Sequence, residues 1–331
     1  LYFLFSVILL IDIFDNSFKK SLTNFISFSK AETLKQSFKI FLLYSIITFS
    51  IFIILNLLNI RAFNSFNLAM SIISSGGFLP TNSLSNILLS NFQITIFSLL
   101  MLTSFFSIFL SYNLIFIKNR NLNFFNEDLH LLFYFIFLLT IFFIFFNLDN
   151  NFSELLLSLT SSVSNIGFSL DSNSSHLSFI FLILVIIGGS FFSTSSGIRY
   201  LKIYSLFKYS INEILSYSKP KNIYINKHLF SKESFKMEEI HKYFLSIVIF
   251  IISLLLLTSL LTLSGIDFES SFKLSILTLM NTVNSSMYGM ADFSFYDLHF
   301  LTKCYLIIFM IIGRVELLTL LIISKKFLFK N

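Results

Sequence analysis

Charge, tryptophan and cysteine are what this chain has least of, and each shortage removes a class of protein. Only 12% of its residues are charged, against about a quarter in a typical soluble domain. Mean hydropathy is +0.83, and the apolar residues gather into runs of roughly 20, long enough to cross a bilayer. Lipid is therefore the expected solvent. Tryptophan is absent, so an aromatic belt at the membrane interfaces falls to tyrosine. The single cysteine, Cys304, stands in an apolar run and forms neither an internal disulfide nor a thiolate cluster. There is no Walker loop, no dinucleotide glycine pattern, no HExxH and no Cys/His ligand spacing. His130, His176, His228, His241 and His299 are scattered along the chain. Paired acids, a Ser/His couple or metal ligands inside the spans would mark an intramembrane enzyme, and none is present. The chain reads as no enzyme.

What is there is a series of apolar runs, at 1–13, 38–60, 92–117, 131–146, 177–207, 243–263 and 301–323. The run at 177–207 is too long for one span and carries a Gly/Ser stretch, which predicts a broken helix. Charge alternates between the runs. One set of loops holds Lys19, Lys20, Lys30, Lys35, Lys118 and Arg120, then the lysines from Lys202 to Lys242, then Lys325, Lys326 and Lys330. The other set holds Asp149, Glu154, Asp171, Asp267, Glu269, Asp292 and Asp297, with Arg61 and Lys273. The positive-inside rule makes the first set cytoplasmic. The net charge of +6 is thus mostly topology rather than a nucleic-acid patch.

The external connections repeat one pattern. RAFNSFNLAMSIISSGGFLPTNSLSN has an apolar stretch of about three helical turns, then Ser-Ser-Gly-Gly-Phe and a polar exit. NNFSELLLSLTSSVSNIGFSLDSNSS follows the same order, and placing Gly77 over Gly167 also aligns Phe78 with Phe168. DFESSFKLSILTLMNTVNSSMYGMADFSFYDL repeats it more loosely. Such an internal repeat implies tandem helix, re-entrant helix and loop, helix units. The fold expected is an all-α polytopic membrane protein with these units around a central pore. A half-helix entering from outside points its negative C-terminal pole into the membrane. Non-helical backbone at that depth must line a cavity, and several such loops give a ring of carbonyl oxygens that replaces a cation's hydration shell.

Three stretches resemble the Trk/Ktr/HKT potassium transporter superfamily. The loops resemble its pore loops. GGSFFSTSSGIRYLKIYSLFK from Gly188 resembles its GG-x-x-GSTAGGIK segment, and GRVELLTLLI from Gly313 resembles its GR-[LV]-E-x-x-T-x-L motif near the C-terminus. The resemblance implies four helix–pore–helix repeats. On that basis 1–13 is the end of the first repeat, 35–118 the second, 129–208 the third with a broken inner helix, 209–235 a cytoplasmic loop and 236–330 the fourth. Because the chain opens at Leu1 inside an apolar run without an initiator Met, the first pore loop is expected to lie upstream. Filter positions carry over as Ser75, Gly76 and Gly77, as Asn165, Ile166 and Gly167, and as Val283 and Asn284, with Asn284 where a glycine is expected. Gly289 would replace it only through a shifted register, and Asn284 keeps its carbonyl usable if it takes left-handed angles.

The resemblance further implies a gate at Gly188, Gly189, Ser193, Thr194, Gly197 and Arg199, the last in place of a family lysine. Phe192 and Ser196 replace glycines there, and a bulkier constriction favours closure by dewetting. Arg314 is implied as a pore charge below the filter. The function implied is potassium uptake across the plasma (inner) membrane by a multi-pass protein, gated by an intramembrane loop. Potassium, or sodium, is the transported ion, and no cofactor is held covalently. Partners implied are membrane lipid, a second copy in a homodimer and a cytosolic nucleotide-binding regulatory subunit, with no nucleic acid. A sodium-permeable or inactive paralogue, and a secondary transporter of another solute, stay open as alternatives.

Overall fold

The computed structural model describes residues 30–81, 83–107, 123–145, 152–170, 177–190, 193–217, 237–290, 293–296 and 298–315. The apolar run at 1–13, residues Phe191 and Phe192, most of the loop at 209–235 and the chain beyond 315 lie outside the described residues. The order of elements is α1 (Lys30–Leu57), α2 (Ala62–Ser74), α3 (Asn91–Phe105), α4 (Asn123–Phe145), α5 (Phe152–Val163), α6 (Ser178–Ile186), β1 (Ile187–Gly188), β2 (Ile198–Arg199), α7 (Tyr200–Ser216), α8 (Met237–Leu263), α9 (Phe268–Leu279) and α10 (Phe300–Val315). Three times a long helix is followed by a short one and then by another helix.

Local chemistry sets the ends of these helices. Ser90 caps α3: its Oγ accepts from Gln93 N at 3.2 Å, while Gln93 Oε1 accepts from Ser90 N at 3.2 Å, a capping box. Gln93 Nε2 also donates to Leu58 O at 2.8 Å, which ties the end of α1 to the start of α3. Asp267 caps α9 by accepting from Glu269 N at 3.2 Å. Two of the buried hydroxyls inside the helices are satisfied by their own backbone. Ser98 Oγ donates to Ile94 O at 2.7 Å, and Ser275 Oγ to Ser271 O at 2.7 Å, so neither needs water.

Among the described residues, two helices, over Glu127–Ile144 and Ile240–Leu263, are long and apolar enough to cross a membrane. Large apolar side chains stand on the outside of the bundle, among them Phe49 on α1, Phe133 and Phe137 on α4 and Leu255 on α8. An apolar exterior of this extent is unusual for a soluble protein and suits contact with lipid. The apolar run at 177–207 holds two separate helices. α6 stops at Ile186, and the chain crosses a short parallel pairing of Ile187 with Ile198 and Gly188 with Arg199. α7 begins at Tyr200.

The core interlocks successive units. Ile51, Leu55, Leu68, Ile72, Phe97 and Met101 of α1–α3 form one apolar cluster, and Leu157, Ile166 and Phe168 from beyond α4 complete it. Met287 and Tyr288, after α9, join a second cluster in which α4, α5 and α6 pack with α8 and α9. Residues that follow α5 and α9 are thus buried against the unit before them.

Candidate functional site

The site grows from the C-terminal ends of the three short helices. After α2, Ser75 N donates to Ile72 O at 3.1 Å and Gly76 N to Ser71 O at 2.8 Å. After α5, Asn165 N donates to Ser162 O at 3.2 Å and Ile166 N to Ser161 O at 3.1 Å. After α9, Asn281 N donates to Thr278 O at 3.1 Å and Thr282 N to Leu277 O at 2.9 Å. These are one motif three times, a Schellman turn with its pair of bonds back onto the last carbonyls. Its left-handed residue is Ser75 at φ 50°, Asn165 at φ 59° and Asn281 at φ 51°.

This ladder fixes which residues correspond. Two positions after the left-handed residue stand Gly77, Gly167 and Val283; the next are Phe78, Phe168 and Asn284. The sequence comparison put Asn284 opposite the two glycines, and the hydrogen bonds put Val283 there instead. Nor is Asn284 the left-handed asparagine of its unit, which is Asn281. Asn284 instead donates from Nδ2 to Met290 O at 3.2 Å. Gly289, at φ 69°, lies in a later turn, beside Lys273 and Ser178.

The three turns meet. Gly77 has φ 66°, and a Cβ there would strike Ile166 O and lie 2.6 Å from Val283 Cγ2. Gly167 has φ 90°, and a Cβ there would strike Val283 O and lie 2.9 Å from Val283 N. Both positions therefore need glycine twice over, for the backbone angle and for the close approach. Val283 meets Gly77 with its side chain and Gly167 with its backbone. Asn165 braces the junction from within: its Nδ2 donates to Val185 O at 2.7 Å and to Thr282 Oγ1 at 3.4 Å. Asn281 Nδ2 donates to Met310 O at 3.0 Å, holding α10 against the last turn.

The interruption between α6 and α7 lies against this junction. Thr194 Oγ1 is 3.5 Å from Ser75 Oγ, and it donates to Ser104 O at 3.4 Å. Gly188 and Gly197 touch: a Cβ on Gly197, at φ 88°, would lie 2.8 Å from Gly188 Cα. Gly189 faces Phe105 O, and its N donates to Ser195 Oγ at 3.0 Å. Ser193 Oγ donates to Ser190 O at 2.7 Å. Arg199 gathers the loop, its Nη1 reaching Ser195 O at 2.9 Å, Ser193 Oγ at 3.1 Å, Ser190 O at 3.2 Å and Ser193 O at 3.4 Å. One guanidinium with several acceptors is a role that a lysine's point charge fills less well.

Arg314 joins the loop to the first turn. Its Nη1 donates to Ser196 Oγ at 2.8 Å and its Nη2 to Ser74 O at 3.3 Å. Ser74 is the last residue of α2, where orphan carbonyls gather the negative end of the helix dipole. The structure thus brings Ser75, Gly76 and Gly77 together with Asn165, Ile166, Gly167, Val283, Thr194 and Arg314, while Asn284 stands one step aside. Sequence reasoning missed Asn281, Thr282, Ser190 and the adjacent acids Glu127 and Asp128, which are 0% and 2% exposed. The signal was available: ionisable residues at the edge of an apolar run are costly and mark function.

A family model described as TrkH, cation transport protein, matches residues 146–329, more than half of the chain. No curated protein matches it in sequence. Among solved structures, the potassium transporter TrkH from Vibrio parahaemolyticus is similar, with a TM-score of 0.75 and 19% identity over 90% of this chain. The chain spans 66% of that transporter's length. At this identity the likeness is one of fold.

Proposed function

This chain belongs to the TrkH family of cation transport proteins, and from that premise we propose that it takes up potassium across the plasma (inner) membrane as a multi-pass protein. The observation that carries the reading is the meeting of the three turns at Gly77, Gly167 and Val283. Each turn ends a short helix, so three negative helix poles and a set of backbone carbonyls face one junction, which favours a cation. Ser75, Gly76, Asn165, Ile166 and Asn284 complete the filter in this reading. The loop of Gly188, Gly189, Ser193, Thr194, Gly197 and Arg199 acts as the gate. Arg314 supplies a fixed positive charge on its inner side and limits how tightly the ion is held.

Sodium permeation is a second reading, favoured by the side chains of Val283 and Asn284 in the turn after α9. Family membership speaks for a cation rather than an organic solute. Lipid around the bundle, a second copy in a homodimer and a cytosolic nucleotide-binding regulatory subunit belong to the proposal.

The test is rubidium and sodium uptake by the complete gene in a bacterial strain without its own potassium uptake systems. Growth at low potassium, with rubidium uptake that potassium suppresses, is the expected result. Sodium uptake without potassium rescue establishes the second reading. No uptake of either ion, with the protein present in the membrane, leaves an inactive paralogue.

A further inference from the structure

We propose that Glu127 is a positioning residue, one that anchors the loop between α6 and α7 in the conformation described here, against the inner side of the three turns. The inference rests on the reading of that loop as the gate and adds to it the part that holds the loop in place. Glu127 lies on α4, outside the three turns. It acts through Ser190.

Ser190 is held at three atoms. Its N donates to Phe105 O at 3.0 Å, its Oγ donates to Glu127 Oε2 at 2.9 Å, and its O accepts from Arg199 Nη1 at 3.2 Å. The neighbouring acid holds the surface on which the loop rests: Asp128 Oδ1 accepts from Ser107 N at 2.9 Å, just past the end of α3. The end of α3 in turn offers its last carbonyls to the loop, since Ser195 N donates to Ser104 O at 3.1 Å. Those carbonyls have no partner within their own helix, so the loop caps α3 across the boundary between two units. Two consecutive carboxylates on one helix therefore flank a single contact: Glu127 accepts from the Ser190 hydroxyl, and Asp128 holds the seat within reach of the same side chain.

The contact is suited to a latch. A hydrogen bond to a buried carboxylate is among the stronger kinds available to a serine, yet it is a single side-chain contact that can be broken without unfolding a helix. The rest of the loop is held by its own Arg199, by backbone bonds to α3 and by Arg314, which donates to Ser196 Oγ. Lifting the loop requires Ser190 to leave both Phe105 O and Glu127.

The test reads loop exposure apart from transport. Thr194→Cys is placed in a Cys304→Ser background of the full chain, and its labelling by a water-soluble thiol reagent is followed in membranes. Glu127→Ala and Ser190→Ala are each expected to raise the labelling rate about tenfold, as expected for loss of one charge-assisted hydrogen bond. The double variant rises no further, and Glu127→Gln, which keeps an acceptor oxygen, is intermediate. Ser190→Ala leaves the buried acid untouched and reads the same contact should Glu127→Ala fail to accumulate. Unchanged labelling, or additive effects of the two substitutions, overturns the proposal. Rubidium uptake in the same membranes is expected to show a raised maximal rate at an unchanged half-saturating concentration. If the unmodified pore carries no ion while labelling responds as stated, the anchor stands and the transport reading falls. If uptake is present and labelling does not respond, only the anchor falls.

Discussion

The turns after α5 and α9, called the third and fourth after the repeats they belong to, are built on one hydrogen-bond ladder and differ in what hangs from it. Asn165 and Asn281 take the same left-handed angle and stand in the same relation to the helix before them. Two residues later the third turn has Gly167 and the fourth has Val283. The glycine admits the backbone of the fourth turn to contact, and the valine fills the gap toward Gly77. The aromatic that follows is equally uneven. Phe168 is 2% exposed and packs on Phe97 at 5.7 Å between ring centroids, its counterpart Phe78 is 75% exposed, and the fourth turn has Asn284 instead. The lesson is that the turns share a backbone device while their side chains are specialised by neighbour. One glycine is required by another turn's backbone, and one valine occupies the room that glycine leaves.

That contrast can be broken most directly at Gly167. Gly167→Ala forces a Cβ against Val283 O at a left-handed angle, and strain with overpacking predicts a loss of about 3 kcal/mol or more. Rubidium uptake should vanish and the melting temperature in detergent should fall; a protein of unchanged stability would mean that the turns do not touch. Val283→Gly makes the fourth turn like the third. It should raise rubidium uptake relative to sodium by about tenfold, with Asn284→Gly changing the ratio less than about twofold. The reverse order of effects would return Asn284 to the position opposite the glycines. Gly289→Ala isolates the angle from the contact, because its φ is 69° but a Cβ there would come nearest to Lys273 Nζ, at 3.2 Å, with the Ser178 side chain beyond. A flexible lysine moves aside, so the cost should be about 1 kcal/mol in the same melting assay; a loss matching that of Gly167→Ala would undo the argument from contact. Thr282→Val removes the hydroxyl that Asn165 reaches at 3.4 Å. A contact this long should contribute under about 1 kcal/mol, and a double cycle with Asn165→Ala would measure its coupling directly.

The apolar runs located the helices, and the Gly/Ser stretch located the break between α6 and α7. Both are local signals. A backbone in lipid must satisfy its own hydrogen bonds, so a run of apolar residues becomes a helix with little help from elsewhere. Glycines and serines inside such a run mark where that rule is relaxed. The register of the fourth turn was not legible in the same way. Matching TVN to a glycine pattern counts residues along the chain, whereas the turn is set by which residue takes the left-handed angle after α9, and that was Asn281. The partners of Glu127 and Arg314 were hidden for a related reason. Ser190 lies 63 residues from Glu127, and Ser74 lies 240 from Arg314, so no pattern within one segment points from one to the other.

Composition by itself determined that this chain is a helical protein of the membrane, because the hydrogen bonds of a helix and the cost of exposing its backbone to lipid are both settled within one segment. Tertiary structure alone decided which residues share the junction: that Val283 faces the two glycines, that Arg314 reaches the end of α2 and that Glu127 holds Ser190. Those contacts depend on how helices from different units pack, and packing is a property of surfaces brought together from distant parts of the chain rather than of any run within it.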